Sequence, residues 1–337
     1  MRDERSAIST AASLLRDGGV VAFPTETVYG LGADAANEQA VRRIFSIKGR
    51  PADHPLIVHL ADAGMIDRWA RDVPDVAFRL AERFWPGPLT IVFRRSFLVS
   101  DMVTGGLHTV GIRVPAHPVT QTMLREFGNG VAAPSANRFG RISPTCASHV
   151  RDELGLAPDL ILDGGDCQVG LESTIISLAD NSPILLRPGG ISLHELCEVL
   201  GRRVVLPGQP NPALRAPGCH ASHYAPLTPS FIISTAHLLA ELQGSGDARR
   251  SAAILCYTKT VTDLYPATRC LLLPNDPIGY GQALYASLRR LDADGYDRIL
   301  IEAVPETEPW RAVRDRLHRA AYPGNTKNRL QSTGVSR

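Results

Sequence analysis

The sequence predicts an α/β protein in two parts: an N-terminal twisted mixed sheet with flanking helices, and a smaller, doubly wound parallel α/β domain. Three observations predict this. Up to residue 200, short apolar runs and amphipathic helical stretches follow one another in mixed order; beyond residue 230 they alternate regularly. Six prolines (Pro207, Pro210, Pro212, Pro217, Pro226 and Pro229) stiffen the stretch between them and deny it regular structure. A chain of 337 residues is also long enough for two separate cores. The expected boundaries are a catalytic domain over 1–200, a linker over 201–229, the small domain over 230–322 and a basic tail over 323–337.

In order, residues 6–17 read as a helix stopped by Gly18-Gly19, and 20–23 as a short strand stopped by Pro24. Asn37 is placed to cap a helix whose buried stripe is Val41, Ile44 and Phe45 and whose end is Lys48-Gly49-Arg50-Pro51. Strands are expected at 56–60, 89–93, 110–114, 131–133, 160–162, 174–178 and 184–186, with helices near 76–85, 118–127 and 145–154. In the second part, strands at 231–233, 252–256, 271–273 and 298–301 alternate with helices near 235–243, 278–293 and 310–320.

Composition narrows the function. With 44% hydrophobic and 21% charged residues the chain reads as soluble and globular, and a net charge of +2 confines nucleic-acid contact to a local patch. Its six cysteines form no Cys-x-x-Cys pair, which argues against a disulfide framework and suits a cytoplasmic protein. The charged N-terminus does not read as a secretory signal, and no apolar run reaches membrane-spanning length.

The chemistry-bearing residues cluster at expected strand ends. Pro24 to Gly32 follows a buried strand and offers Thr25, Glu26, Thr27 and Tyr29 to a pocket, or to its own backbone as a strand-to-helix connection. Gly30-x-Gly32-x-x-Ala35 lies too far past the strand for a dinucleotide fingerprint, and the absence of any Gly-Lys dipeptide excludes a Walker loop. Lys48 and Arg50 could neutralise a triphosphate, or could simply complement a helix dipole. His54 and His59 follow, the latter inside an apolar strand where a core role is the commoner one. Thr109, Gly111 and Arg113 share one strand face, so a buried guanidinium there needs an anion, either a ligand or an internal acid. Ser135 and Asn137 follow the strand ending at Ala133, and Ser143-Pro144-Thr145 is expected to open the next helix. Ser173 and Arg187 repeat the theme at later strand ends. Together these polar ends suggest one anion-binding mouth without a metal cluster. Cys219-His220-x-x-His223 makes a poor zinc site for want of a fourth ligand, while Tyr224 could lay a ring over that mouth.

The segment Phe23-Pro-Thr-Glu-Thr-Val-Tyr-Gly-Leu-Gly32, then Lys48-Gly-Arg-Pro51, then Pro134-Ser-Ala-Asn137 resembles the YrdC/YciO-type threonylcarbamoyl-AMP synthases. With His223-Tyr224-Ala225-Pro226 and a second domain, the chain resembles their long two-domain form. The resemblance implies a YrdC-like catalytic fold followed by a Rossmann-like domain. It implies a nucleotidyltransferase that makes L-threonylcarbamoyl-AMP and pyrophosphate from L-threonine, bicarbonate or CO2, and ATP with Mg²⁺. A tRNA-modifying threonylcarbamoyl transferase would then carry the group to the adenosine beside the anticodon, and a weak contact with tRNA itself is expected. By the same resemblance Thr27, His59, Arg113, Ala133 and Ser173 belong to the threonine site. Lys48, Arg50, His54, Thr109, Ser135, Asn137, Ser143, Arg187 and Tyr224 belong to the ATP site, with Lys48, Arg50, Ser135 and Asn137 as the catalytic set and no metal ligand among the side chains. His54 stands where the family usually has Asn. Two alternatives keep the same residues: a carbamoyl-transfer enzyme using carbamoyl phosphate, and a non-enzymatic RNA-binding module.

Overall fold

The computed structural model describes residues 2–206, 217, 223–243, 252–264 and 270–321. These residues divide into two compact units, one drawn from Met1–Phe139 and Ser143–Cys219, the other from Gly140–Ile142 and His220–Arg337. Most of the proline-rich stretch, the Cys219-His220 dipeptide and the basic tail over 323–337 lie outside the described residues.

In the first unit, strands β1 (Val21–Phe23), β2 (Gly30–Asp34), β3 (Ile57–His59), β4 (Ala70–Arg71), β5 (Leu89–Arg95), β6 (Thr109–Arg113), β7 (Val131–Ala133), β8 (Leu160–Ile161), β9 (Thr174–Ser177) and β10 (Ile184–Arg187) build one mixed sheet. Its order is β10-β9-β5-β6-β3-β7-β2-β1-β8, with β4 paired to β5. Helices α1 (Arg2–Arg16), α2 (Glu38–Lys48), α3 (Ile66–Trp69), α4 (Asp75–Phe84), α5 (Asp101–Thr104), α6 (Pro118–Phe127), α7 (Ala147–Leu154) and α8 (Leu193–Leu200) complete the unit.

Strand alternation sorts the sheet into two faces. On one face Ala22, Leu31, Val58, Ile112, Ala132 and Ile176 join the main core, together with Ile44 of α2, Leu80 of α4 and Leu196 of α8. On the other face Val21, Phe23, Val131 and Ala133 pack under α1 and α6. The rest of that second face carries a short apolar strip of Ile57, Val92, Ile175 and Leu186. His59 and Thr90 lie on strands that carry this strip and Arg113 on β6 between them, and the candidate site is built from here.

Two expectations are corrected. Residues 24–32 are not wholly a loop leading to a helix, because β2 begins at Gly30 and pairs antiparallel with β1. Its glycines are required by packing: a Cβ at Gly30 would lie 2.9 Å from Phe23 Cζ, and one at Gly32 2.5 Å from Val131 Cγ1. Ser143 does not open a helix either, since α7 starts at Ala147 and the intervening residues stay irregular. Helix α2 is as expected. Asn37 caps it by accepting from Gln39 N and Ala40 N, and Gly49 ends it in the left-handed region with φ 62°.

The second unit holds β11 (Ser230–Ile233), β12 (Ala252–Cys256), β13 (Cys270–Leu272) and β14 (Arg298–Glu302). All pairs are parallel, in the order β11-β14-β12-β13. Helices α9 (Thr235–Gln243), α10 (Lys259–Leu264), α11 (Pro277–Ala293) and α12 (Arg311–Ala320) connect and flank them.

Candidate functional site

Strand β3 organises the site, because it lies between β6 and β7. Ile57 pairs with Gly111 on one side and Ala133 on the other, and His59 pairs with Arg113 and Val131. Side chains of paired residues share a face, so His59 and Arg113 stand together at the C-terminal end of β3. The N-terminal end faces the turn after β7, where Ser135 bridges to Gly30 of β2.

At that N-terminal end α2 delivers Lys48 and Arg50. Lys48 is buried, and its Nζ donates to Ser135 O at 2.6 Å and also to Asn137 O. Burial, reinforced by the neighbouring Arg50 charge, holds its pKa well below the ordinary lysine value. Phe139 N returns a bond to Lys48 O at 2.8 Å, so the turn 135–139 is laced to the end of α2. Arg50 donates to Pro55 O at 3.0 Å, and its guanidinium sits 5.8 Å from the centre of the Phe139 ring. His54 meets the same ring edge-on, with centroids 5.0 Å apart. The side-chain amide of Asn137 donates to Arg138 O at 2.7 Å. Thr109 opens β6 opposite Arg94.

At the other end Arg113 is paired with Glu26 at 2.6 Å, and the two side chains are only 5% and 7% exposed. Arg113 Nε also donates to Gly87 O, while the second carboxylate oxygen of Glu26 accepts from Ala116 N at 3.0 Å. Thr25 ties the loop by accepting from Thr27 N and Val28 N, and its hydroxyl lies 2.8 Å from that of Thr27. His59 is buried, with Nδ1 3.2 Å from Ile57 O. Burial and the Arg113 charge pull its pKa down to about 3, so the ring is neutral at any physiological pH. Alongside, the Ser173 and Thr90 hydroxyls are 2.8 Å apart, and Arg187 donates to both Ser173 O and Ser173 Oγ. Arg187 also donates to Pro217 O at 2.7 Å. Ser143 donates to Glu172 at 2.6 Å, next to Ser173 in sequence.

Thirteen of the fourteen residues singled out for the two ends of the site are therefore placed in the first unit; Tyr224 alone is not. It belongs to the second unit, where it packs against His223 and Tyr285 with the Arg316 guanidinium 5.3 Å from its ring centre. Among the described residues, four buried cations of this unit (Lys48, Arg50, Arg113, Arg187) face two buried carboxylates, Glu26 and Glu172. That surplus favours an anionic ligand. Sequence reasoning left out Glu172, Thr90 and Phe139, and offered Glu26 to a pocket without pairing it with Arg113. The need of a buried Arg113 for an internal acid was the signal that could have named Glu26, already inside the quoted motif.

The Sua5–YciO–YrdC family model, described as "Telomere recombination", matches residues 13–189. The chain belongs to this family. A second model, described as "Threonylcarbamoyl-AMP synthase, C-terminal domain", matches residues 191–322. The threonylcarbamoyl-AMP synthase of Pyrococcus abyssi is 39% identical, with 95% of each chain covered. That of Bacillus subtilis is 42% identical, over 93% of this chain and 92% of the relative. Among solved structures, P. abyssi Sua5 complexed with L-threonine superposes with a TM-score of 0.84 at 37% identity, covering 93% of this chain and 94% of that one. By that kinship this family member is an enzyme of the nucleotidyltransferase kind. No helix among its described residues is long and apolar enough to cross a membrane.

Proposed function

We propose that the protein condenses L-threonine, CO2 (from bicarbonate) and ATP into L-threonylcarbamoyl-AMP and pyrophosphate. The observation that carries the reading is the polarity of the face around β3. Arg50 grips Pro55 just before that strand, and His59, beside Arg113, closes it. Four residues of extended chain span about 13 Å. That length suits an amino acid at one end and a triphosphate at the other.

The chemistry needs no protein nucleophile. Threonine's neutral amine adds to CO2 and loses a proton, giving an N-carboxylate. One oxygen of that carboxylate attacks the α-phosphorus as the bond to the bridging oxygen breaks, and pyrophosphate leaves with the electron pair. Arg113, oriented by Glu26, holds threonine's own carboxylate and keeps it away from the phosphorus. Lys48 and Arg50 stabilise charge building on the phosphates. Among the described residues no group of three or more His, Cys, Asp or Glu could hold a metal. The phosphate end is instead cationic and hydroxylic, which fits Mg²⁺ carried in on ATP's own oxygens and water, where it would screen phosphate charge.

The product's mixed anhydride is a carbamoyl donor. We assign its use to a threonylcarbamoyl transferase that modifies the adenosine beside the anticodon of tRNA, in the cytoplasm. The test is pyrophosphate release with ATP, bicarbonate and each amino acid in turn. Release that depends on both threonine and bicarbonate is expected; release indifferent to the amino acid overturns the reading.

A further inference from the structure

We propose that Phe23 is a positioning residue for threonine: its ring, seated over Gly30 and Gly32, fixes the His59 imidazole at the amino-acid end of the site. The inference rests on the reaction proposed above and deepens it.

Strand β1 ends at Phe23, which pairs directly with Gly30, while Val21 pairs with Gly32. The Phe23 ring occupies the space a side chain would need at both glycines. A Cβ at Gly30 would come within 2.9 Å of its Cζ, and one at Gly32 within 2.6 Å of its Cε1. Real Cβ atoms do not approach carbon so closely, so any other residue at these positions must move the ring. Neither glycine has a positive φ, so backbone conformation does not explain them. The Gly-x-Gly spacing that imitates a phosphate loop is here a seat for an aromatic ring.

That ring also meets His59 edge-on, with centroids 5.8 Å apart and planes at 79°. The imidazole is otherwise held by its Nδ1 near Ile57 O and by its strand neighbours Arg113 and Val131. Because the ring stays neutral, it offers the ligand a shape and a fixed edge, not a movable proton. Its contribution then depends on where the ring stands. Phe23 also belongs to the apolar layer under α1 and α6, so a purely structural role is the competing explanation.

Phe23→Leu and Gly30→Ala distinguish the two. Michaelis constants for threonine and ATP would be measured in the pyrophosphate assay, threonine affinity by calorimetry without ATP, and folding by thermal unfolding. Misplacing a ligand wall costs binding geometry, and the threonine constant is expected to rise about tenfold or more with the ATP constant within about twofold. Parallel changes in both constants, or an unchanged threonine affinity in folded Gly30→Ala, overturn the proposal. Should Phe23→Leu fail to fold, Gly30→Ala decides alone, since it keeps the ring and only displaces it. Calorimetry separates this outcome from failure of the proposed reaction. A wild-type chain that binds threonine but releases no pyrophosphate sinks the reaction, while the variant affinities still judge Phe23. A wild-type chain that does not bind threonine sinks both.

Discussion

Replacing Glu26 by Gln tests how the amino-acid end of the site is held together. The Glu26–Arg113 pair is 2.6 Å long and almost fully buried on both sides. Removing one partner of a buried pair strands the other charge at a cost of about 3–5 kcal/mol. The amide oxygen of Gln keeps a neutral hydrogen bond to the guanidinium, which returns about 1 kcal/mol. Glu26→Gln should therefore lose about 3 kcal/mol. Arg113→Gln should lose a similar amount by leaving a buried carboxylate without its guanidinium, held by Ala116 N. The double variant removes both charges of the pair and strands neither, so it should lose far less than the two singles together, a coupling of about 3 kcal/mol. Urea unfolding in a Trp310→Phe background reads the first unit alone, because Trp69 and Trp85 are then the only tryptophans left. Additive losses around the cycle would refute the argument and make Glu26 a bystander.

Other outcomes follow from the same contacts. His59 has a native pKa near 3 against about 6.5 in an unfolded chain. Between these values the unfolded chain takes up a proton that the native ring refuses, so stability falls as pH drops from 6.5 toward 3, by about 1.4 kcal/mol per pH unit. His59→Gln should flatten that slope by one proton in urea titrations, and identical slopes would contradict the assignment. Lys48→Ala removes the donor shared by Ser135 O and Asn137 O. It should lower the pyrophosphate release rate by about 10²–10³-fold while calorimetric threonine affinity stays within about twofold. A matching loss of threonine affinity would place Lys48 at the wrong end of the site.

Much of this was legible in the sequence because the local signals agreed with the tertiary ones. Asn37, the Val41–Ile44–Phe45 stripe and Gly49 fix α2 without help from elsewhere, so the position of Lys48 and Arg50 at its end could be read directly. The face shared by Thr109, Gly111 and Arg113 followed from strand periodicity alone. Strand β2 was hidden because its apolar signal is thin: Gly30 and Gly32 look like loop residues until the Phe23 ring that displaces their side chains is in view. Helix α8 was missed although Ser192 and Glu195 form a full capping box, each bonding the other's backbone N–H. The pairing of Ser143 with Glu172 joins residues 29 apart through an irregular segment, and no periodicity announces it.

The second unit raises the opposite question, why a fold so suited to nucleotides should leave that chemistry to its neighbour. In open parallel sheets ligands settle at the C-terminal strand ends where successive connections diverge. Here β12 leads away toward β13, whereas the helix following β14 packs back against β11, so the divergence falls between β12 and β14. Glu302 closes β14 at that point and is fully buried. Its carboxylate accepts from Tyr257 N at 2.9 Å, Thr258 N at 3.0 Å, the Thr235 hydroxyl at 2.8 Å and the Thr258 hydroxyl. Two backbone amides and two hydroxyls are the donors a phosphate would ask for, and the chain's own carboxylate already holds them. An incoming phosphate would have to displace a buried carboxylate covalently tethered to the sheet, at very high effective concentration. Among the described residues the first unit has the reverse balance, four buried cations against two buried carboxylates, and the adenylate chemistry is proposed there.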